Sequence, residues 1–243
     1  MWNSRVVFGR ALFSLGLAVS FGFSGTAIAA DPSWLIIKGV PHFYEFGSEN
    51  TGSTSYYWCG HTALKIAEIY VTGNNKKLSE IHDIFKANSP GGYAANGGVG
   101  YCNTLSSGRK YCASLQDLAW AQYSRNKGYG RIASTVGTSD TAKLNLKSAT
   151  NVEAFYKNVK EAIISGYLVI SPSTIVYNIA GHFWVIVGYA TGKTTDASIL
   201  YMRNVALSAP SSCPDCLKYG YDTTTTVGEF FRKSANGQML IVK

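Results

Sequence analysis

The sequence has little that would divide the chain into parts. Proline accounts for 6 of the 243 residues and charged residues for 15% of them, and no Pro-rich or low-complexity linker interrupts the chain. The absence of a linker argues against two separate domains, and a chain of this length can bury a large core. We detect no internal repeat. The Gly-rich segment 91–98 lacks the Lys and Ser/Thr spacing of a phosphate-binding loop, so it is interpreted as a surface loop.

Acidic residues are few, and the resulting positive excess is dispersed along the chain. Lys and Arg number 22 against 14 Asp and Glu, for a formal net charge of +8. Because no basic run or known nucleic-acid-binding motif accompanies these charges, nucleic acid is not an expected partner. A mild positive excess suits an anionic cell envelope, a membrane surface or a peptide with acidic groups. The sequence gives no indication of a cofactor, and we expect none.

The N-terminal residues have the pattern of a bacterial-type secretory signal peptide. Two arginines precede the apolar residues 11–23, and small residues at 27–30 provide a cleavage site. The apolar stretch is shorter than the roughly 20 residues of a membrane span, although an uncleaved anchor is the alternative. We therefore predict a signal peptide at residues 1–30 and an exported domain, periplasmic or secreted, at residues 31–243, with no integral membrane span after cleavage.

Cysteine is scarce, and the five cysteines have an odd count. In an oxidising compartment they divide naturally into two disulfides and one thiol. The pairing is open, because four cysteines permit three connectivities and the same four residues are also a conceivable zinc site. We expect disulfides and no metal, and we interpret the C-terminal Cys-Pro-Asp-Cys as a bridge in preference to a redox dithiol. The disulfide candidates are Cys102, Cys112, Cys213 and Cys216, which leaves Cys59 as the thiol.

Cys59 stands at the predicted start of a helix. Apolar residues recur at helical spacing through residues 63–70, and the segment Gly73-Asn74-Asn75 is a C-terminal stop signal. Amide N–H groups at a helix start stabilise a thiolate and lower a thiol pKa from roughly 8.5 toward the 3.5–7.5 range when a histidine cation is close. The same amides stabilise an oxyanion. These features predict that Cys59 is a nucleophile.

A histidine and an asparagine follow the cysteine in the order that thiol hydrolases need. His182 lies about 120 residues after Cys59, at the head of an apolar run, residues 183–189, that predicts a buried strand. Asn204 ends the next strand, and a hairpin would bring it beside His182. A nucleophilic cysteine needs a base to accept its proton and a third group to orient that base. We therefore predict Cys59, His182 and Asn204 as a catalytic triad.

These motifs resemble those of the papain-like cysteine peptidase superfamily, most of all the peptidases related to the double-glycine leader peptidases that process bacteriocins. Members typically have a Cys-Gly-Pro-Thr/Ser-Ala motif that opens a helix, a Gly-His followed by an apolar strand, and then an Asp or Asn. The matching positions here are residues 59–63, residues 181–189 and Asn204. The resemblance implies a papain-like α+β fold, with the nucleophile helix packed on an antiparallel sheet that carries the base.

The chain departs from the family pattern at two positions. His61 stands where Pro is usual, and the family's Gln that donates to the oxyanion hole is missing, because residues 31–58 contain no Gln. The segment 40–45 resembles the one that normally ends in that Gln, which places Glu45 there. A carboxylate would repel an oxyanion, so either Glu45 is protonated, or another side chain replaces it, or activity is impaired. The replacement candidates are Asn50, Ser53 and Tyr57.

Each proposed site residue also has a purely structural interpretation. Cys59 would then be a buried structural thiol, since cysteine is among the most buried residue types. His182 taken alone is more simply a core histidine, and only its pairing with a nucleophile favours a function. Asn204 would close a turn through its local hydrogen bonds, in which case Asp196 is the substitute orienting group.

The periodicity predicts a helix-rich first half followed by strands, which is an α+β fold. Besides the helix from Cys59, the predicted helices are 77–87, 114–127 and 151–165, with Ser114 and Asn151 as N-caps and Gly166 as a stop. The predicted strands are 167–171, 182–190, 198–205 and 238–243.

The combined motifs predict an exported cysteine peptidase or amidase that acts through a thioester acyl-enzyme on a peptide, a protein or a peptidoglycan stem peptide. A different class is a catalytically weak papain-like module that binds peptides in the cell envelope, which Glu45 favours. Phytochelatin-synthase-like enzymes share the superfamily and a Gly-His-Phe segment, so a transpeptidase is a further alternative. The motif does not determine the substrate.

Overall fold

The structure is a computed structural model. It describes residues 31–43, 59–88, 115–125, 144–173, 182–205, 221–234 and 237–243. The chain divides into two compact units, residues 1–31 and residues 32–243, and the helices and strands described below belong to the second. No helix among the described residues is long and apolar enough to cross a membrane.

The described elements are helices and the strands of one antiparallel sheet, so the α+β class is confirmed. In chain order they are β1 (Trp34–Ile36), α1 (Cys59–Thr72), α2 (Leu78–Asn88), α3 (Leu115–Arg125), β2 (Leu146–Lys147), α4 (Val152–Ile164), β3 (Leu168–Ser173), β4 (His182–Ala190), β5 (Ile199–Asn204), β6 (Thr223–Thr226), α5 (Val227–Lys233) and β7 (Met239–Val242).

The long predicted elements are confirmed with small shifts at their ends. The Asn151 side chain caps α4 by accepting from the Ala154 N–H at 2.8 Å, and Gly166 follows the helix with φ 77°. The proposed cap Ser114 lies outside the described residues. The sequence interpretation missed β1, β2, β6 and α5. The strands β1 and β2 have three and two residues and α5 has seven, about two turns, which is too short to display a period. The β6 segment also consists of four threonines, without alternation of apolar and polar residues.

The seven strands form one antiparallel sheet whose spatial order differs from the chain order, and β4 is central. The order is β2-β7-β3-β4-β5-β6, and β1 pairs with β4 beside β3. All of β4 except Ala190 is buried, and helices α1 and α4 both pack on β4. A strand that is covered on both faces needs a continuous apolar run, which is what residues 183–187 supply. The core of the domain therefore surrounds the strand that begins with His182.

Gly188 allows β1 to lie against β4. The strand β4 has an irregular register between Ile186 and Gly188, and Gly188 is the partner of Ile36 in β1. A Cβ atom at Gly188 would lie 2.5 Å from the Leu35 carbonyl oxygen and 2.9 Å from the Ile36 Cα. Because both of these are backbone atoms, a side chain at position 188 requires the two strands to move apart.

We expect Gly188→Ala to destabilise the domain by roughly 3 kcal/mol, the upper end of the usual cost of overpacking a core, because the contacted atoms belong to the backbone and cannot rotate away; urea denaturation measures the loss. Gly39→Ala is the matched control. A Cβ at Gly39 has no atom within 4 Å, but φ of this residue is 77°. Gly39→Ala therefore loses only about 1 kcal/mol, the strain of a side chain in the left-handed conformation. Equal losses in the two variants would contradict the close approach of β1 to β4.

Candidate active site

Cys59 is the first residue of α1, and the helix that follows it is enclosed. Every residue from 60 to 68 is buried, while Cys59 itself is of intermediate exposure. The helix packs on β4 and β3 and ends at Thr72, followed by Gly73 with φ 73°. The first amides of a helix lack partners within the helix, so the thiol stands at the positive end of the α1 dipole.

The enclosure of α1 extends to charged side chains, which periodicity alone did not predict. Lys65 and Glu68 are 1% and 2% exposed. The ammonium nitrogen of Lys65 lies 4.5 Å from the centroid of the Phe43 ring, within the range of a cation–π contact. Phe43 therefore brings the chain segment before the cysteine against α1.

His182 and Asn204 are brought together by two neighbouring strands. His182 begins β4 and Asn204 ends β5, and Asn204 is paired with Trp184 across the antiparallel ladder. His182 is thus the diagonal neighbour of Asn204 on the same face of the sheet, within reach of a long side chain. The distance between His182 Nε2 and Asn204 Oδ1 is 3.0 Å. The predicted hairpin contact between the two residues is confirmed.

This hydrogen bond determines which nitrogen of the imidazole is basic. An amide oxygen only accepts, so Nε2 of His182 is the donor and carries the hydrogen. In the neutral ring the lone pair then belongs to Nδ1. The ring is also held by Trp184, whose ring makes an edge-to-face contact with it at 5.2 Å and 84°. His182 is 9% exposed and Asn204 is 1% exposed, so the acceptor and the ring are both fixed in the core.

Burial controls the protonation of this histidine. Removal from water lowers the pKa of His182 to about 4, although the hydrogen bond that His182 donates to Asn204 acts in the opposite direction. The imidazole is therefore neutral at pH 7, which is the form that can accept a proton. The same burial works against a persistent imidazolium, because a charged ring in the core loses its hydration.

The sequence interpretation missed Asp222, which lies directly behind Asn204. The Asp222 side chain has 0% exposure. Its Oδ2 accepts from the Asn204 backbone N–H at 2.9 Å, and its Oδ1 accepts from Arg203 Nη1 at 2.7 Å. His42 Nδ1 donates to the carboxylate at 3.1 Å from each oxygen. The only sequence signal was Arg203 itself, a cation within an apolar strand, since a buried cation needs a partner.

The charge of Asp222 is stabilised in place. Burial by itself would raise the pKa of this carboxyl group, but the hydrogen bond from His42 and the positive charge of Arg203 outweigh it and hold the pKa below its usual value. A second contact of Arg203, from Nη2 to the Val40 carbonyl oxygen at 2.6 Å, ties the segment before α1 to the end of β5.

The alternative orienting residue, Asp196, is placed elsewhere. It lies in the loop that joins β4 to β5. The start of this loop is at the far end of β4, eight residues after His182, which is roughly 25 Å at 3.3 Å per residue. Its carboxylate pairs with Arg232 at 2.8 Å on the surface, with half of its side chain exposed. Asp196 therefore does not orient His182, and the substitute role considered for it is wrong.

Several residues proposed from the sequence lie outside the described residues. The candidate oxyanion residue Glu45 is one of them, and the others are Asn50, Ser53, Tyr57, Cys102, Cys112, Cys213 and Cys216. Within the described ranges, no group of three or more His, Cys, Asp or Glu side chains is arranged to hold a metal ion.

No family model, curated protein or solved structure matches this chain.

The buried imidazole of His182 predicts acid sensitivity of the fold. With an unfolded pKa of 6.5 and a folded pKa of about 4, the unfolded state binds more protons between these pH values, so the free energy of unfolding falls as the pH is lowered through that window. The full effect is about 3 kcal/mol. The lowered pKa of Asp222 adds a loss of unfolding free energy only at lower pH, near and below its usual titration range.

Urea denaturation between pH 7 and 4.5 should show a flatter pH dependence of the unfolding free energy for His182→Gln than for the natural chain. Parallel curves would mean that the imidazole is solvated.

Proposed function

We propose that this protein is an exported cysteine peptidase or amidase with a papain-like arrangement, in which Cys59, His182 and Asn204 form the triad. The hydrogen bond between His182 Nε2 and Asn204 Oδ1 carries the proposal. It directs the Nδ1 lone pair away from the asparagine, and it lies on the sheet against which the helix that begins at Cys59 is packed.

The proposed reaction follows from these positions. Nδ1 of His182 accepts the thiol proton as the Cys59 sulfur attacks the carbonyl carbon of an amide. The Cys59 backbone N–H supplies part of the oxyanion hole. The imidazolium then gives its proton to the leaving amine as the C–N bond breaks, which leaves a thioester. Water, deprotonated by the same imidazole, attacks the thioester and releases the acid and the thiol. The proposal requires the thiol to come within hydrogen-bonding reach of Nδ1.

The oxyanion hole needs a second hydrogen-bond donor besides the Cys59 backbone N–H. Glu45 stands where the resembled family has a Gln, and an ionised carboxylate there would repel the developing negative charge. Protonation of Glu45 removes that repulsion and provides an O–H donor. Donation by a nearby Asn, Ser or Tyr has the same effect. Either arrangement is compatible with hydrolysis, and the two differ in the pH dependence of the rate.

One observation favours a catalytically weak module that binds peptides in the cell envelope. The lowered pKa of His182 disfavours the imidazolium, so a thiolate–imidazolium pair forms only if the negative charge of the thiolate offsets the cost of burial. If that offset is too small, Cys59 stays a thiol.

A transpeptidase is a variant of the main proposal in which an amine replaces water at the thioester.

We expect iodoacetamide to label Cys59 faster than an ordinary thiol between pH 5 and 7, because His182 removes the thiol proton. His182→Ala should slow labelling by roughly 100-fold, within the 10²–10⁴ range of general base catalysis. Asn204→Ala should slow it roughly tenfold, since it removes only the orienting acceptor. The rates are measured by mass spectrometry of the Cys59 peptide.

Asp196→Asn is the matched control for this series. It removes a surface ion pair at the other end of the same hairpin, which is worth at most about 1 kcal/mol, and should leave the labelling rate unchanged. If Cys59 reacts as an ordinary thiol in all four proteins, the peptidase proposal fails and the peptide-binding module takes its place.

The export proposal predicts one alkylatable thiol per chain. Protein recovered from the periplasm or medium, unfolded without reductant and treated with iodoacetamide, should carry one label on Cys59, because the other four cysteines form two disulfides. Reduction should raise the count to five, the total in the chain. Four or five labels without reduction, or bound zinc released on unfolding, would refute the two bridges.

A further inference from the structure

Asp222 is placed to act on the site through Asn204. We propose that Asp222 is a positioning residue for the His182–Asn204 pair, and that it holds the orienting amide by fixing the backbone at the end of β5. The inference deepens the proposed function, on which its role in catalysis rests. The geometry itself is independent of whether Cys59 is a nucleophile.

The Asp222 side chain lies where the β5–β6 ladder ends. The last pair of that ladder is Met202 with Thr223, and the Asp222 N–H donates to the Met202 carbonyl oxygen at 2.8 Å. Beyond this point the pairing with β6 stops, yet Asn204 is 1% exposed. A buried backbone N–H needs an acceptor. The Asp222 carboxylate supplies one at 2.9 Å, so a side chain continues the ladder for the residue that orients the histidine.

The Asp222 carboxylate is itself held from several directions. Arg203 Nη1 and His42 Nδ1 donate to it at 2.7 Å and 3.1 Å, and Arg203 Nη2 is anchored on the Val40 carbonyl oxygen at 2.6 Å. Charge-assisted hydrogen bonds such as these are shorter and stronger than neutral ones. An acceptor that is fixed in this way can fix its donor.

Asp222 contacts two successive residues of β5. Successive side chains of a strand point to opposite faces, so Arg203 and Asn204 project on opposite sides of β5. Asp222 binds the Arg203 side chain and the Asn204 backbone at once and thereby resists rotation of the peptide between them. A rotation of about 20° moves an atom roughly 3 Å from the axis by about 1 Å. That displacement is enough to lengthen a 3.0 Å hydrogen bond beyond its useful range.

The measurement is the imidazole Nε2–H of His182 in protein labelled with ¹⁵N-histidine. The chain has 4 histidines, and His182→Gln assigns the signal by its disappearance. In the natural protein at pH 7 this proton is hydrogen-bonded in the core, and we expect a downfield resonance that exchanges slowly with water. Asp222→Asn should accelerate that exchange at least tenfold, because the amide provides one oxygen in place of two and releases Asn204.

A second variant guards against loss of the fold, since Asp222→Asn leaves the Arg203 cation buried beside a neutral group. Arg203→Met combined with Asp222→Leu removes both charges together, a replacement that is often tolerated. It should fold and show the same accelerated exchange. Asp196→Asn breaks an aspartate–arginine pair at the other end of the hairpin and should leave the exchange rate unchanged. A folded double variant with the natural exchange rate overturns the proposal.

The labelling rate of Cys59 separates this inference from the proposed function. If both hold, Asp222→Asn slows labelling roughly 10- to 100-fold, by analogy with the hydrogen-bonded partners that orient metal-binding histidines. It then adds little in an Asn204→Ala background, because the two residues act through one interaction. Accelerated exchange with an unreactive Cys59 retains Asp222 as a positioning residue and refutes the peptidase. If Cys59 is reactive but the exchange rate is unchanged in the folded double variant, the peptidase proposal stands and Asp222 is not a positioning residue.

Discussion

The contact between His182 and Asn204 is the interaction on which the site depends, and it is a product of the sheet. A hydrogen bond of 3.0 Å between two side chains requires both backbones to be placed within a fraction of an ångström. The antiparallel register of β4 and β5 provides this, because it fixes Asn204 opposite Trp184 and one diagonal step from His182. Trp184 fills the space beside the ring. The amide and the imidazole are therefore arranged before any substrate binds.

The same burial that orders the imidazole opposes its charge. A ring in the core keeps one orientation, but it has lost the water that would stabilise an imidazolium, and its pKa is lowered to about 4. Asn204 compensates in part by accepting from Nε2. A neutral amide orients a ring without adding charge, whereas the nearest carboxylate in this network, Asp222, contacts the backbone of Asn204. The site is thus built for orientation at the expense of basicity.

The sequence was sufficient to predict the elements in which residue types and hydrophobic period indicate the same secondary structure. The strand from His182 to Ala190 was predicted with its observed bounds, because its short length and its β-branched and aromatic content favour a buried strand over a helix. The contact between His182 and Asn204 was predictable from that strand and its hairpin. Asp222 was not, since a single aspartate before four threonines has no local signature, and its role depends on pairing with Met202 and Arg203 across the fold. The burial of residues 60–68 of α1 on all sides was hidden as well, because Lys65 and Glu68 are usually signs of a solvated face.

The Asp222 network joins parts of the chain that are synthesised far apart in time. His42 and Asp222 are separated by 180 positions, so closing this contact requires nearly the whole domain to have been made. Non-local contacts of this kind form late in folding, since the entropy of closing the intervening loop must be overcome first. Under the proposed function, the base of Cys59 is aligned only when residue 222 has docked, so the thiol stays unactivated while the chain is still emerging. For the exported hydrolase that we propose, that order of assembly would protect the cell that makes it.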